Sequence, residues 1–584
     1  MSDKKNKNPE KEAWTTAFFI ENHLDYSSYP DHVSPPEQVR FIVYTEEEKR
    51  YYPCSARMFD AIINGSHSAF LQEKYTEVFK KILRLIDYMI KVPAEKLYLE
   101  SLIKIKFKHE TRDEIMIPSR LEKRLLGIFL NRTQIEDPYY KVKALNNRRV
   151  SNALESKAFK KALNRFNLPE IFSSNATLSE IKQNIKGLEF KRLLALSSEP
   201  SLWKSDIAAN FTENDYLKIF NRKLTGDGIN HLLQFTGISN KNGFDQKKSN
   251  KKILWLTDEA GEVIVDLAII DCLTNMGHKV IICFKEGPLF TKADYHDTLE
   301  DETIAKRLDT AFFISNKNLS KNELVNILRT DKNIFVISDG TRENLNFLLT
   351  STTFSRFFKE ADFIISRGND QKRRLFNTSF KFTQDIINIS TNTDKSVEII
   401  YKPKHPKALK FSHKDLEAKA ETIICQMKDA KKNGMTVIFY SGIIGSIPGK
   451  IETAKKIMSV FIQFLKKEAA GAFIINPSEY YEPGMDADDL MYMWEIVQRS
   501  GIIDTWRFQT YNDIARAFKL MGKQIPPEWV GKDATFSTGC TKEMKIAEDV
   551  IQKHPEMQII GPAFEKFMRR NEYAVGKMFD KGLC

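Results

Sequence analysis

The stretch KILWLTDEAGEVIVDLAIIDCLTNMGHKVIICF, residues 252–284, decides the fold class of this chain. It opens with an apolar run at 253–257, which is too short for a helix and is typical of a buried parallel strand. An amphipathic helical segment follows at 262–276 and ends at Gly277. A second apolar run, Lys279–Phe284, is the next predicted strand. This strand–helix–strand order predicts a parallel sheet with right-handed crossovers.

More strands of the same kind follow, and helical periodicity dominates the chain before them. Apolar runs at 333–338 and 361–366 are predicted strands, which places the first α/β core at 246–400. Residues 36–245 carry apolar side chains at spacings of three and four, so they predict a helical subdomain. Residues 1–35 are expected to be loosely ordered. The predicted fold class is α/β, with a doubly wound, mostly parallel sheet.

Beyond residue 400 the composition changes twice. The stretch YKPKHPKALK, 401–410, carries two prolines and four lysines, which is typical of a linker, and we place this linker at 401–412. Apolar runs separated by a helical segment then return, with predicted strands at 436–442 and 471–477. Residues 413–584 are therefore predicted to form a second α/β domain.

Composition excludes several classes of protein. The chain has 584 residues, of which 42% are hydrophobic and 28% charged, as in a globular protein of several domains. Its 6 cysteines form no CxxC pair, so we expect neither a disulfide scaffold nor a cysteine-rich zinc site. No apolar run is long enough for a membrane span and the N-terminus lacks a hydrophobic signal core, so we expect a cytoplasmic protein. The net charge of +12 comes with no nucleic-acid motif, so we do not expect nucleic acid as a partner.

The strongest site signal is TDEAGEVIVD, 257–266, where the first strand ends and a helix begins. Ligands of doubly wound sheets bind beyond the carboxyl ends of the strands. Asp258 and Glu259 are adjacent there, and neighbouring carboxylates repel each other unless a cation binds. Gly261 permits close approach of the backbone, and the helix N-terminus favours a phosphate. The alternative is that these acids, together with Glu262, only cap the helix.

Polar residues also follow the later predicted strands. Asp294 comes after the second strand, and because neighbouring strand ends lie about 5 Å apart, we expect it to join Asp258 on one ion. Arg367, Gly368 and the amide of Gln371 follow the fourth strand and would hold a phosphate or carboxylate. The alternatives are an ordinary polar loop for the first group and a surface turn for the second.

Two further segments are candidates. Asp339 and Gly340 follow the third strand, where they either contact a ligand or cap a helix. In the second predicted domain, YSGIIGSIPGK joins a strand to a helix and resembles a phosphate-cradling loop, although it matches neither the Walker nor the dinucleotide spacing. Its candidate anion-binding residues are Gly442, Gly445, Gly449 and Lys450, against the alternative of a structural glycine turn. Cys540 near a predicted helix start is either reactive or simply buried.

Five short motifs in order resemble the damage-control phosphatase family, metal-dependent proteins also described as acidic-residue carboxyl methyltransferases. The family's D-N-A-G-E-x-x-x-D motif resembles residues 258–266. The other four matches are Asp137, Pro138, Tyr139, Lys143 and Asn147; Ser201, Leu202, Trp203 and Asp206; Pro288 and Asp294; and Arg367, Gly368 and Gln371. The resemblance spans roughly residues 40–400.

This resemblance implies a divalent-metal-dependent phosphatase that acts on small phosphorylated metabolites such as sugar phosphates. Asp258, Glu259 and Asp294 would hold Mn²⁺ or Mg²⁺, and Asp258 and Arg367 would be catalytic. The implied substrate-binding residues are Gly261, Glu262, Asp339, Gly340, Arg367, Gly368 and Gln371.

Three positions depart from the family pattern, and they leave alternatives open. Glu259 replaces an Asn, Arg367 a Lys, and Gln371 an Asn. Glu259 adds a negative charge that opposes the binding of a phosphate, so one alternative is a catalytically silent metal- or ligand-binding protein of the same fold. The other is a carboxyl methyltransferase that uses S-adenosylmethionine, which would bind that cofactor without a metal.

Overall fold

The structure is a computed structural model, and it describes residues 8–24, 36–45, 50–64, 68–166, 177–238, 250–447, 449–469 and 471–568. Contacts between Cα atoms divide the chain into two compact units. The first comprises the chain up to Leu319 together with Asn326–Ala408, and the second comprises Ser320–Val325 and the chain from Leu409. No helix of the described residues is long and apolar enough to cross a membrane.

The first unit is helical at its beginning and alternates strands with helices after residue 250. The α-helices of the chain up to residue 408 are Pro9–Glu21, Pro36–Ile42, Ala56–Ile63, Ala69–Met89, Pro93–Thr111, Pro118–Thr133, Tyr140–Glu155, Lys157–Leu163, Leu178–Leu196, Ser201–Lys204, Glu213–Phe220, Gly228–Phe235, Glu262–Asn275, Asp297–Glu300, Glu302–Arg307, Lys321–Leu328, Thr352–Glu360 and Gly368–Leu375. Several of the early helices begin with proline, whose fixed backbone angle suits the first helical position.

A large sheet forms the centre of this unit. Its strands and those of a smaller pair are β1 (Val43–Tyr44), β2 (Leu224–Thr225), β3 (Lys252–Leu256), β4 (Lys279–Phe284), β5 (Phe312–Phe313), β6 (Ile334–Ser338), β7 (Phe363–Arg367), β8 (Lys381–Phe382), β9 (Ile386–Thr391) and β10 (Val397–Lys402). The eight-stranded sheet has the order β2-β10-β9-β7-β3-β4-β6-β5, while β1 pairs with β8. Within the large sheet β9 and β10 are antiparallel and the other neighbours parallel, which confirms the predicted α/β class.

The strand order reverses at β3. From β3 the chain passes through β4 to the edge strand β5 and back to β6, and it then crosses to β7 on the opposite side of β3. Sheets of this kind bind ligands at such a reversal, in the crevice beyond the carboxyl ends of the two strands. The side chains of Ile253, Leu254 and Trp255 are fully buried, as expected for a strand covered on both faces.

The antiparallel hairpin of β9 and β10 differs from the sequence-based expectation. Lys402, which we expected to belong to the linker at 401–412, is the last residue of β10. Its buried ammonium donates to the carbonyl oxygen of Leu375 at 2.7 Å. Because this strand pairing and hydrogen bond fix the chain, the connection to the second unit begins only after Lys402.

The N-terminal segment also differs from its prediction of loose order. The helix Pro9–Glu21 lies within it and buries Phe18 and Phe19. At its end, the Asn22 amide donates to the carbonyl of Ile115 at 2.8 Å and accepts from the N–H of Ile117 at 2.7 Å. This buried amide ties the first helix to the helical subdomain. Residues 1–7 and 25–35, which share the prediction, lie outside the described residues.

The second unit has a smaller, wholly parallel sheet. Its strands are β11 (Thr436–Ser441), β12 (Ala472–Ile475), β13 (Thr505–Phe508) and β14 (Gln558–Ile560), in the order β12-β11-β13-β14. Its α-helices are His413–Lys432, Ile451–Glu468, Ala487–Gln498, Tyr511–Leu520, Thr538–Lys553 and Phe564–Met568. The strand order reverses between β11 and β13, as it does between β3 and β7 in the first unit. Residues 569–584 of the predicted second domain lie outside the described residues.

A buried carboxyl lies in the interior of this second unit. Glu543, on the helix Thr538–Lys553, is 7% exposed and accepts a hydrogen bond from the Gln498 amide at 3.0 Å. Burial raises the pKa of Glu543 to about 7, against the lowering effect of hydrogen bonds from Ser441, Gln498 and Cys540. The folded chain therefore holds a proton that an unfolded glutamate releases at lower pH.

This proton predicts a pH-dependent stability. Between the ordinary pKa of glutamate and about 7, the folded state binds more protons than the unfolded state, so the free energy of unfolding falls as pH rises. The slope reaches at most about 1.4 kcal/mol per pH unit. Urea unfolding at pH 5 and pH 8 should show this fall in the wild type and a smaller fall in Glu543→Gln. Glu548→Gln, on the same helix, is the control, and equal profiles for wild type and Glu543→Gln would contradict the prediction.

Candidate functional site

The loop after β3 is held against the loop after β4 by backbone hydrogen bonds. The N–H of Ala260 donates to the carbonyl of Thr291 at 2.9 Å, and the N–H of Ala293 donates to the carbonyl of Asp258 at 2.9 Å. These two bonds enclose Lys292 in a short antiparallel pairing. The pairing fixes Lys292 beside the carboxylate of Asp258, at the carboxyl end of β3.

The Lys292 ammonium contacts three carboxylates. It donates to Asp258, lies 3.2 Å from Glu259 Oε1 and lies 3.0 Å from Asp370 Oδ2. The second carboxylate oxygen of Glu259 accepts from the Thr291 hydroxyl at 2.6 Å. Asp258 and Glu259 thus lie together, as expected, but the cation between them belongs to the protein.

Burial and these charges set the ionisation of the cluster. Burial raises the pKa of Asp258 to about 8, against the lowering effect of the Lys292 ammonium. Burial also acts on Glu259, but Lys292 and the Thr291 hydroxyl outweigh it and hold the pKa of Glu259 below its usual value. The three carboxylates keep the pKa of Lys292 well above its usual value although burial lowers it. Lys292 is therefore charged at neutral pH, while burial opposes the ionisation of Asp258.

Asp294 does not join Asp258 in a common set of ligands, in contrast to the prediction. Its carboxylate lies with those of Asp137 and Asp297 around Lys143, whose Nζ is 2.7, 2.6 and 2.7 Å from Asp137, Asp294 and Asp297. The backbone explains the difference, because the Asp294 carboxylate also accepts from the N–H of His296 at 2.9 Å and is turned into its own loop.

This Asp137–Asp294–Asp297 triad is the only group of three His, Cys, Asp or Glu ligands with metal-like spacing among the described residues. One oxygen of each carboxylate lies within 4.8 Å of the others, so the triad could bind a metal ion. Each carboxylate is bonded to the Lys143 ammonium, whose side chain is 1% exposed. A metal ion would therefore bind there in exchange for Lys143.

The helical subdomain supports the loop after β3 through Asn147 and Trp203. The N–H of Gly261 donates to the Asn147 amide oxygen at 2.6 Å, and the same amide donates to Asp301 at 2.9 Å. Gly261 has φ +87°, and a Cβ there would lie 2.3 Å from Trp203 Cβ. Since its N–H and its open face are both occupied by protein, Gly261 packs the loop rather than facing a ligand.

Arg367 lies inside the protein, between two carboxylates of the helix that follows β3. Its Nε donates to Asp266 at 2.7 Å, its Nη2 to Glu262 at 2.9 Å and its Nη1 to the carbonyl of Ile389 at 3.1 Å. Trp255 donates to the other oxygen of Asp266 at 3.1 Å. Burial raises the pKa of Glu262 to about 7, against the lowering effect of Arg367. Arg367 and Glu262 thus form an ion pair with each other inside the protein.

The loop after β7 contacts Asp258 directly. Gly368 has φ +80°, and a Cβ there would lie 1.9 Å from Asp258 Oδ2, so only glycine permits this approach. Gly368 begins the helix Gly368–Leu375, and Gln371 in its first turn is 5% exposed. The amide oxygen of Gln371 accepts no hydrogen bond, and neither does that of Asn388, whose amide nitrogen donates to the Gly368 carbonyl at 3.1 Å. These two buried acceptors leave room for a donor from a water molecule or a ligand.

Asp339 and Gly340, the sequence candidates that follow β6, form contacts within the protein. Asp339 is bonded to Lys285 at 2.5 Å and to the N–H of Thr341 at 3.0 Å, and the Gly340 turn packs against Ser351. These bonds account for both oxygens of the Asp339 carboxylate.

The glycine turn of the second unit lies at the carboxyl end of β11, where the sequence placed it. Lys450 pairs with Glu528 at 2.8 Å, and Gly445 and Gly449 have open space beside them. The thiol of Cys540, 2% exposed, lies 3.4 Å from the carbonyl of Gly442, as in the buried alternative. Pro448 lies outside the described residues. Nothing in this turn fixes a bound anion.

Lys292 and Asp370 are the site residues that the sequence analysis missed. Lys292 lies two residues before Asp294, in the loop that we searched for acidic metal ligands. Asp370 lies between two residues that we did select, Gly368 and Gln371. No sequence pattern marked either residue, because their approach to Asp258 follows from the pairing of the two loops and from the register of β3 and β7.

Comparison with known proteins assigns the first unit to a family. Residues 54–407 match the family model described as the damage-control phosphatase ARMT1-like domain. No curated protein matches the chain. The crystal structure of a DUF89 family protein from Pyrococcus horikoshii is similar, with 16% identity and a TM-score of 0.37 over 57% of this chain and 98% of that chain. Because the family model covers more than half of the 584 residues, the chain belongs to the ARMT1-like damage-control phosphatase family.

Proposed function

We propose that this chain is a phosphatase-like protein that acts on sugar phosphates or similar small metabolites in the crevice between β3 and β7. Membership of the family supports a metal-dependent phosphatase-like function on small phosphorylated metabolites. The observation that carries the proposal is the contact between Asp258 and Gly368 where the strand order reverses. No disulfide joins cysteines of the described residues, which supports a cytoplasmic location.

The crevice offers groups for both halves of a sugar phosphate. The N-terminus of the helix Gly368–Leu375 supplies partial positive charge for the phosphoryl group. The buried amide oxygens of Gln371 and Asn388 have no donor among the described residues, so they would accept from the hydroxyls of the sugar. Asp258, which lies between these two sets of groups, is the residue we assign to the chemical step.

A divalent metal supplies Lewis acidity to the phosphoryl group in a metal-dependent phosphatase. The Asp258–Glu259 pair does not fit such an ion as it stands, because Lys292 occupies the space between the carboxylates. The Asp137–Asp294–Asp297 triad has suitable spacing, and its hard oxygen ligands would favour Mn²⁺ or Mg²⁺ once Lys143 is displaced. Since the three N–H donors of Lys292 are taken by carboxylates, we assign the phosphoryl group to the N-terminus of the helix Gly368–Leu375.

The same contacts favour a second candidate function, a binding protein without turnover. The Lys292 ammonium already balances part of the charge on Asp258, Glu259 and Asp370. A carboxylate held in this way is less available for chemistry. Measurements of binding and turnover on the same variants separate the two functions.

We assign Arg367 a positioning role, because its guanidinium is bonded to Glu262 and Asp266 inside the protein. Arg367→Ala leaves two buried carboxylates without a paired cation and should reduce the free energy of unfolding by about 3–5 kcal/mol. Arg367→Lys keeps the charge but loses the fork of donors, so it should cost less. The control is Arg149→Ala, whose partner Asp206 is exposed, with an expected loss below about 1 kcal/mol. Equal losses in urea unfolding for the two alanine variants would contradict this role.

The substrate proposal predicts distinct effects at Asp258 and Gln371. Against a panel of sugar phosphates, Asp258→Asn should lower kcat at least about 100-fold. Gln371→Ala should raise KM about 5- to 20-fold with little change in kcat, because it removes one uniform contact to the bound sugar. Gln234→Ala, an exposed glutamine of the same unit, is the matched control.

Calorimetry with the same sugar phosphates completes this test. Binding without turnover, weakened by Gln371→Ala, would favour the silent binding protein. Neither binding nor turnover across the panel would refute the proposed function.

A further inference from the structure

We infer that the Lys292 ammonium replaces a divalent cation at Asp258, Glu259 and Asp370. The positive charge in this part of the site then comes from a side chain of the protein. The inference rests on the proposed function only in treating the crevice between β3 and β7 as the active site. It concerns which cation the carboxylates hold, and metal binding can be measured without any turnover.

The geometry of Lys292 matches that of a bound cation. A lysine ammonium has three N–H donors and no acceptor, and the Lys292 ammonium meets one oxygen from each of three carboxylates. Its side chain is 11% exposed, so water cannot replace these contacts. The three carboxylates come from the loops after β3 and β7, which are the two sides of the crevice.

Backbone hydrogen bonds hold the Cα of Lys292 close to the carboxylates. Its two neighbours, Thr291 and Ala293, are both hydrogen-bonded to the loop after β3, and its own N–H donates to the carbonyl of Leu289 at 3.2 Å. With the Cα fixed on both sides, the side chain has only its own rotamers with which to leave the carboxylates. A metal ion would have to displace the ammonium against this restraint.

The remaining oxygens leave few ligands for a metal. The other oxygen of Glu259 is bonded to the Thr291 hydroxyl, and Asp258 Oδ2 faces the backbone of Gly368. Mg²⁺ requires a near-octahedral set of oxygen ligands and Ca²⁺ a larger one. An ammonium needs only three acceptors, which is the number of carboxylate oxygens it contacts.

Asp294, the third predicted metal ligand, is likewise held by a lysine. The Lys143 ammonium contacts it together with Asp137 and Asp297, in a cluster that is separate from that of Lys292. The carboxylates that the family resemblance assigned to one metal are thus divided between two buried lysines. This division is a second observation that favours an ammonium over a metal ion at Asp258.

The test is Mn²⁺ binding to the full chain, measured by calorimetry after treatment with a chelator. Wild type and Asp258→Asn should bind Mn²⁺ alike, because Asp258 contributes no ligand while Lys292 is present. Lys292→Met removes the ammonium and keeps an unbranched side chain, so it should gain a site at least about 10-fold tighter than any in the wild type. The double variant Lys292→Met/Asp258→Asn should lose that site. Lys372→Met, which removes a lysine paired with Glu398 outside the cluster, is the matched control.

Each outcome is decisive for the inference. A wild-type site that Asp258→Asn weakens at least 10-fold would overturn it, as would a folded Lys292→Met that gains no site. Wild-type binding that is lost in Asp297→Asn but not in Asp258→Asn places the metal on the triad and supports the inference. If Lys292→Met does not fold, the comparison of wild type with Asp258→Asn decides. Failure of every sugar phosphate in the turnover assay would leave these binding results unchanged.

Discussion

The Asp258 carboxylate and the Gly368 backbone occupy adjoining space, and the rest of the candidate site is arranged around this contact. It exists because β3 and β7 are neighbours in register, with Leu256 opposite Ser366, so their carboxyl ends coincide. A side chain at position 368 would push the two loops apart. Arg367, the residue before this glycine, points away from the crevice. Its side chain lies inside the protein between Glu262 and Asp266.

Buried cations hold together the loops that meet at this contact. Lys292, Arg367 and Lys143 each bind two or three carboxylates, and each joins segments that are distant in sequence. Removing charges from water is costly, so such clusters add less to stability than their number suggests. Their effect is geometric, because each cation can be satisfied only when the loops are in one arrangement. The helical subdomain adds to this through Asn147 and Trp203, which fix the turn at Gly261.

In the first unit, the strands that sequence identified are apolar runs that helices separate. β3, β4, β6 and β7 are continuous apolar runs separated by helices, and such runs are visible without knowledge of the fold. β9 and β10 were missed because their sequences, IINIST and VEIIYK, mix polar residues into the run and are joined by a short turn rather than a helix. The two-residue strands β1 and β2 are too short for any periodicity.

The sequence allowed a prediction of where the candidate site lies, but not of which side chains contact one another there. The crevice lies at the carboxyl ends of parallel strands, which the alternation of strands and helices predicted, whereas the order of those strands was not predicted. Asp258 and Glu259 were found because they follow a strand directly. The partners of Asp294 depend on how its loop turns, and the backbone bonds that turn it toward Lys143 leave no pattern in the sequence. Lys292 was missed for a related reason, since its position follows from the pairing of two loops.

The amide of Asn22 has a practical consequence for anyone shortening this protein. It serves as the bonding partner of Ile115 and Ile117, and the Asn22 carbonyl accepts from Arg120 at 2.8 Å. Arg120 in turn pairs with the buried Glu343. Removing the residues before 54, where the family match begins, would therefore break the hydrogen bonds that Asn22 forms. The loss would reach Arg120, which pairs with Glu343 in the loop after β6. A version made for crystallisation should begin no later than Asn8, which caps the first helix.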